Sequence, residues 1–132
     1  MSEDNSLENI REKKREQLVE EDQGADAPSE PIHINGQAEL DEAVQQYDVV
    51  LADFYADWCG PCKMLEPIVK SLAAETDAAV AKVDVDANQQ LAAQYGVQGV
   101  PTLVLFANGQ QAEQMVGVQQ KEALAQTIAK YS

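Results

Sequence analysis

The sequence predicts an α/β fold in which a central mixed five-stranded sheet is flanked by about four helices. Three observations carry this. Val49-Val50-Leu51-Ala52-Asp53-Phe54-Tyr55-Ala56 is almost continuously apolar, the pattern of a strand covered on both faces. Strand-like and helix-like stretches alternate up to Gly96, which predicts parallel strands joined by right-handed crossovers. Beyond them Asn108-Gly109 separates two strand-like runs, a hairpin signal that closes the sheet with an antiparallel pair.

Residues 1–30 read as an acidic N-terminal extension, distinct from a domain spanning 31–132. They hold ten acids and four bases, the bases clustered in Arg11-Glu12-Lys13-Lys14-Arg15. Leu7, Ile10, Leu18 and Val19 make a thin apolar stripe, and Asn5 with Glu8 forms a capping box, so a short, fraying helix on a flexible tail is expected. Ile32-His33-Ile34 is the first strand and Asn35-Gly36 a turn. Residues 37–47 form a helix with Leu40, Ala43 and Val44 inward. After the long apolar strand and the cysteine pair, the helix that begins at Cys59 continues over 63–76 and turns Met64, Leu65, Ile68, Val69 and Leu72 inward, with Pro67 kinking it. A strand over 79–85 and a short helix over 88–95, ended by Gly96, follow. Strands 102–106 and 110–116 make the hairpin, and a last amphipathic helix over 119–131 buries Leu124 and Ile128.

The 132 residues carry 23 acids against 9 basic residues, a formal charge of −14. Such a surface repels phosphate backbones and anionic lipid, which argues against nucleic acid and membrane surfaces as partners. Because the acids are spread over both tail and body, the composition is read as a surface suited to very high salt; steering toward basic partners is the other reading. The opening residues Met1 to Asn5 show no basic n-region and no apolar h-region, and no stretch is apolar enough to span a membrane. With two cysteines and no disulfide framework, a cytoplasmic location is expected.

Both cysteines stand in Trp58-Cys59-Gly60-Pro61-Cys62-Lys63, where a buried strand hands over to a helix. Two thiols at this spacing can close into a disulfide or stand open as a dithiol, with no metal and no organic cofactor. Cys59 falls at the helix start, where unpaired N–H groups and the dipole favour a thiolate, so it is the expected nucleophile. Pro61 suits the first turn, where its missing N–H costs nothing. Cys62, one turn in, is the expected resolving thiol. Zinc needs four ligands as a rule, and the chain offers two cysteines and the single His33, which is read as an edge or surface residue. A stapling role fails too, because so small a loop removes little unfolded-state entropy. Asp53 is the anomaly of its strand. A buried carboxylate is costly unless used, and six residues before Cys59 it is placed to relay a proton for Cys62.

The stretch from Asp53 to Lys63 resembles the active-site signature of the thioredoxin family, and Gly96-Val97-Gln98-Gly99-Val100-Pro101-Thr102 resembles that family's second landmark, in which the proline peptide is cis. The resemblance runs from about Ile32 to Tyr131. It implies that Cys59 attacks a substrate disulfide, that Cys62 resolves the mixed disulfide, that Asp53 assists proton transfer and that Lys82 lies near it. It implies also that Trp58, Gly60, Pro61, Gly99, Val100 and Pro101 form the substrate-binding surface, with the Val100 backbone pairing an extended segment. The implied function is a monomeric protein-disulfide reductase of cell redox homeostasis, acting on disulfide-containing proteins and recycled by a thioredoxin reductase. Tyr55 and Asp57 depart from the family pattern: many members carry tryptophan at the first, and an acid at the second disfavours the nearby thiolate. The alternatives are an oxidase or isomerase on the same fold, and a binding subunit of a larger complex.

Overall fold

A computed structural model of the chain describes residues 26–132. The expected helix over Leu7 to Val19 lies outside the described residues, as does its capping box. Within the described residues nine elements follow one another: β1 (Ile32–Ile34), α1 (Gln37–Gln46), β2 (Val49–Tyr55), α2 (Gly60–Glu75), β3 (Ala79–Asp84), α3 (Gln89–Gln94), β4 (Thr102–Ala107), β5 (Gln110–Val116) and α4 (Lys121–Tyr131). The sheet has five strands in the order β1-β3-β2-β4-β5. β3 is parallel to both β1 and β2, while β4 is antiparallel to β2 and to β5. The mixed sheet is therefore the predicted one, with the hairpin closing one edge.

Side chains alternate across a strand, so parity decides which helix each residue meets. Val50, Ala52 and Phe54 of β2 pack with Leu40 and Val44 of α1 and Leu91 of α3. Val49 and Leu51 face the other way, against Leu65, Val69 and Leu72 of α2 and Leu124 and Ile128 of α4. Asp53 shares the parity of Val49 and Leu51, and Lys82 that of Val80, which places both on the face covered by α2 and α4. The β3–β2 register sets Asp53 beside Lys82, and the β1–β3 register sets His33 beside Lys82. A row of ionisable side chains thus crosses the sheet beneath α2.

The turns that hold this arrangement use their residues as the backbone demands. Asn108 and Gly109 both have positive φ, 54° and 84°, as the tight β4–β5 hairpin requires. Gly36, at φ 88°, stands at the start of α1, and its N–H donates to Asn88 Oδ1 at 2.8 Å, tying α1 to the start of α3. One inward assignment is corrected: Met64 is exposed. The buried stripe of α2 is Cys62, Leu65, Val69, Leu72 and Ala73, and Met64 lies about 100° around the helix from Leu65, on the solvent side. Ile68 is half-buried at the margin of that stripe. α2 continues through Pro67 to Glu75. Ala27, before the predicted domain boundary, packs against the core cluster on the α1 face.

Candidate active site

The end of β2 and the start of α2 bring the two sulfurs together. Cys59 is the N-cap of α2, with extended backbone at φ −92° and ψ 114°, and its sulfur accepts the Cys62 N–H at 3.1 Å. Sulfur here takes the place that a serine or aspartate oxygen holds in an ordinary cap. Pro61 occupies the first turn, and Cys59 and Cys62 form a disulfide with their Cα atoms 5.3 Å apart. Exposure does not distinguish the two cysteines, at 3% and 4%. Position does. The Val100 carbonyl oxygen lies 3.7 Å from Cys59 Sγ, whereas Cys62 lines a cleft on the other side of the helix start.

The loop facing the disulfide is fixed by its own hydrogen bonds. The Val100–Pro101 peptide is cis, as the resemblance implied. The Thr102 hydroxyl donates to the Gly99 carbonyl at 2.6 Å, and the Gly117 N–H donates to the Pro101 carbonyl at 2.8 Å. Gly99 and Val100, with Trp58, Val85, Val97 and Gln98, line a shallow groove of about 130 Å³. Trp58 is 71% exposed and is oriented by its indole N–H, which donates to Asp86 Oδ2 at 2.9 Å. Nothing approaches the Cβ position of Gly60 or Gly99 within 4 Å, so the surface beside the thiols is open at both glycines.

Beneath α2 the ionisable row is buried to different depths. Asp53 has no exposed surface, and neither of its carboxyl oxygens has a hydrogen-bond partner among the described residues. Burial pushes its pKa from 3.8 up to about 6, with the Lys82 charge pulling it down and the Glu66 charge pushing it up. Lys82 is buried as well. Its ammonium pairs with Glu66 Oε2 at 3.9 Å and sits 4.2 Å from the centroid of the Tyr55 ring. A cleft of about 250 Å³, lined by His33, Tyr55, Ala56, Asp57, Cys62, Lys63, Glu66 and Lys82, leads from solvent to this group and to Cys62. His33 is an exposed residue of the edge strand β1, as read from the sequence.

The structure therefore gathers the predicted residues into two neighbourhoods. Val100, joined to Pro101 by the cis peptide, lies against Cys59 and lines one groove with Trp58 and Gly99, and Asp53 and Lys82 lie on the sheet face under the helix that carries Cys62. Sequence reasoning missed Glu66 and Asp86. Glu66 follows Cys62 by four residues, the spacing that puts two side chains on one face of a helix, and that signal was available. Asp86 lies beyond the end of β3, and no local pattern announces its contact with Trp58.

A vicinal cysteine pair closed at a helix N-cap, beside an open groove and above a buried acid, defines a thiol–disulfide oxidoreductase. The family model described as Thioredoxin matches residues 31–130. The chain belongs to the thioredoxin family, and its function is that of a protein-disulfide reductase. A thioredoxin of Staphylococcus aureus strain Mu50 is 45% identical over 96 residues, 71% of this chain and 91% of that protein. Among solved structures, a single-site mutant of thioredoxin from Halobacterium salinarum NRC-1 is 62% identical, with a TM-score of 0.79 over 82% of this chain and 96% of that one. Thioredoxin from Schistosoma mansoni is 31% identical with a TM-score of 0.72, over 80% and 99% of the two chains.

Proposed function

We propose that Cys59 is the nucleophile and Cys62 the resolving thiol of dithiol–disulfide exchange. The observation that carries this is the placement of Cys59 Sγ at the N-cap of α2, accepting the Cys62 N–H and facing the groove at Val100. A sulfur so placed gains from the helix dipole as a thiolate and meets an incoming substrate first. The Cys59 thiolate attacks one sulfur of a substrate disulfide, and the other sulfur leaves as a thiolate that takes up a proton. Cys62 gives its proton to the Asp53 carboxylate and attacks Cys59 Sγ. The mixed disulfide breaks, the second substrate sulfur leaves and is protonated, and Cys59–Cys62 closes. Two electrons have passed to the substrate.

In this reading Lys82 acts on Asp53 through its charge, and an extended substrate segment lies along Trp58, Gly60, Pro61, Gly99, Val100 and Pro101, pairing with the backbone of Val100. Residues 31–132 form the catalytic domain and 1–30 an acidic extension to it, a division supported by the span of the family match. The domain works as a monomer in the cytoplasm, where a reductase returns the dithiol form. No helix among the described residues is long and apolar enough to cross a membrane.

The test is trapping. Cys62→Ser, reduced and mixed with insulin, is expected to accumulate a mixed disulfide through Cys59, seen as a band that dithiothreitol removes. Cys59→Ser is expected to trap nothing and to lose turnover. The reverse pattern would overturn the assignment of roles.

A further inference from the structure

Glu66 has no part in the mechanism above, yet it holds the only ion pair of Lys82 among the described residues. The geometry around it is specific. Asp53 and Lys82 are neighbours in the β2–β3 register and share a sheet face, which is the arrangement in which a carboxylate and an ammonium would be expected to pair. They do not: both Asp53 oxygens are without a partner among the described residues, and the ammonium lies over the Tyr55 ring toward Glu66. Glu66 itself is 62% exposed, at the cleft, on the helix turn after Cys62.

We propose that Glu66 is a positioning residue for Lys82: by holding the ammonium at the cleft it denies Asp53 a full ion pair, so that Asp53 remains a base strong enough to take the Cys62 proton. This rests on the reading of Asp53 as the proton acceptor. The chemistry is a division of one cation between two acids. An Asp53 carboxylate in a full ion pair would be a weak base and would leave Cys62 protonated. An Asp53 with no cation nearby would hold its own proton more tightly and would be less available as an acceptor. Lys82 shared with Glu66 gives the intermediate case, in agreement with the opposite influences of the two side chains on the Asp53 carboxyl. The other ionisable groups facing this site are Tyr55 from β2, His33 from β1, Asp84 from β3, Lys63 from α2 and Asp57 from the loop before Cys59.

The experiment follows the Asp53 carboxyl itself by carbon NMR in the oxidised protein, assigned by its loss in Asp53→Asn. All variants are compared in a His33→Gln background, which removes the β1 imidazole from the cleft. Glu66→Gln, a substitution at an exposed position, is expected to lower the Asp53 midpoint by on the order of half a pH unit as Lys82 turns to Asp53. Glu66→Asp is expected to restore most of the original value. In a Lys82→Met background, Glu66→Gln is expected to have a much smaller effect. An unmoved midpoint in Glu66→Gln would overturn the proposal, and so would an equal shift with and without Lys82, because Glu66 would then act directly on Asp53. The rate of mixed-disulfide resolution against pH is measured on the same variants. If the carboxyl midpoint moves and the rate profile does not, the coupling of Glu66 to Asp53 stands and the reading of Asp53 as proton acceptor fails.

Discussion

Asp53 is the residue at which stability and chemistry conflict. The folded protein binds its proton more tightly than the unfolded chain does, because burial lifts the pKa from 3.8 to about 6. Stability contributed by the neutral acid is therefore complete below about 4, and falls as pH rises toward and through about 6. Above that the loss is constant, at about 3 kcal/mol for a shift of this size. Asp53→Asn is accordingly expected to be more stable than the parent at pH 8 by about 2–3 kcal/mol, with the gain disappearing near pH 4. Urea unfolding at the two pH values checks this; a variant less stable at pH 8 would mean that the carboxylate is stabilised by partners not seen among the described residues. The same substitution is expected to slow resolution by Cys62, so stability and activity should move in opposite directions. At this scale the sequence was informative, since an acid inside an apolar strand is visible by eye. The Lys82–Glu66 pair was not, because it joins residues of a strand and a helix whose contact exists only once the sheet is assembled.

The elements owe their positions to a few polar ties as well as to the core. Asn88 is the clearest. Buried at the start of α3, it accepts the Gly36 N–H at 2.8 Å and donates through Nδ2 to the Asp84 carbonyl at 3.0 Å, so that α1, β3 and α3 meet on one side chain. Asn88→Ala is expected to destabilise by about 1–3 kcal/mol, chiefly because the part-buried Gly36 N–H loses its partner, while the Asp84 carbonyl keeps the Asn88 backbone N–H at 2.9 Å. Thermal unfolding measures it, and a loss within a few tenths of a kcal/mol would show that the Gly36 N–H finds another partner. The elements themselves were legible: apolar runs fixed the strands to within a residue or two, and Asn108-Gly109 marked the hairpin whose strands the structure shows. Helix faces were legible only in part. The run Met64-Leu65 offers two apolar neighbours about 100° apart, and the local pattern does not say which meets the sheet. Leu65 does, since it continues with Val69 and Leu72, and Met64 is left in solvent. The start of α2 was legible as well: Cys59 caps it and Pro61 stands in its first turn, as the cysteine spacing and the proline predict.

Across the whole molecule the strongest influence beyond packing is charge. Residues 31–132 carry thirteen acids against five lysines and no arginine. Three of those lysines are paired among the described residues, Lys82 with Glu66, Lys121 with Glu75 and Lys130 with Glu113. Most carboxylates among the described residues therefore have no ion-pair partner, and their mutual repulsion acts against the compact state. Repulsion of this kind is screened as the Debye length falls from about 10 Å at 0.1 M salt to about 3 Å at 1 M. The high-salt reading of the composition, with which the 62% identity to the Halobacterium salinarum protein accords, predicts an unfolding midpoint that rises with KCl. Chloride is the appropriate anion, because sulfate would strengthen apolar burial in any protein. Screening alone is nearly complete once the Debye length is shorter than the spacing of neighbouring carboxylates, so a rise that levels off below about 1 M would identify repulsion as the whole cause. A rise that continues into molar salt would require the acidic surface to do more than repel, for example by organising hydrated cations. A midpoint highest in dilute buffer would overturn the high-salt reading and leave the charge to be explained by basic partners drawn to this surface.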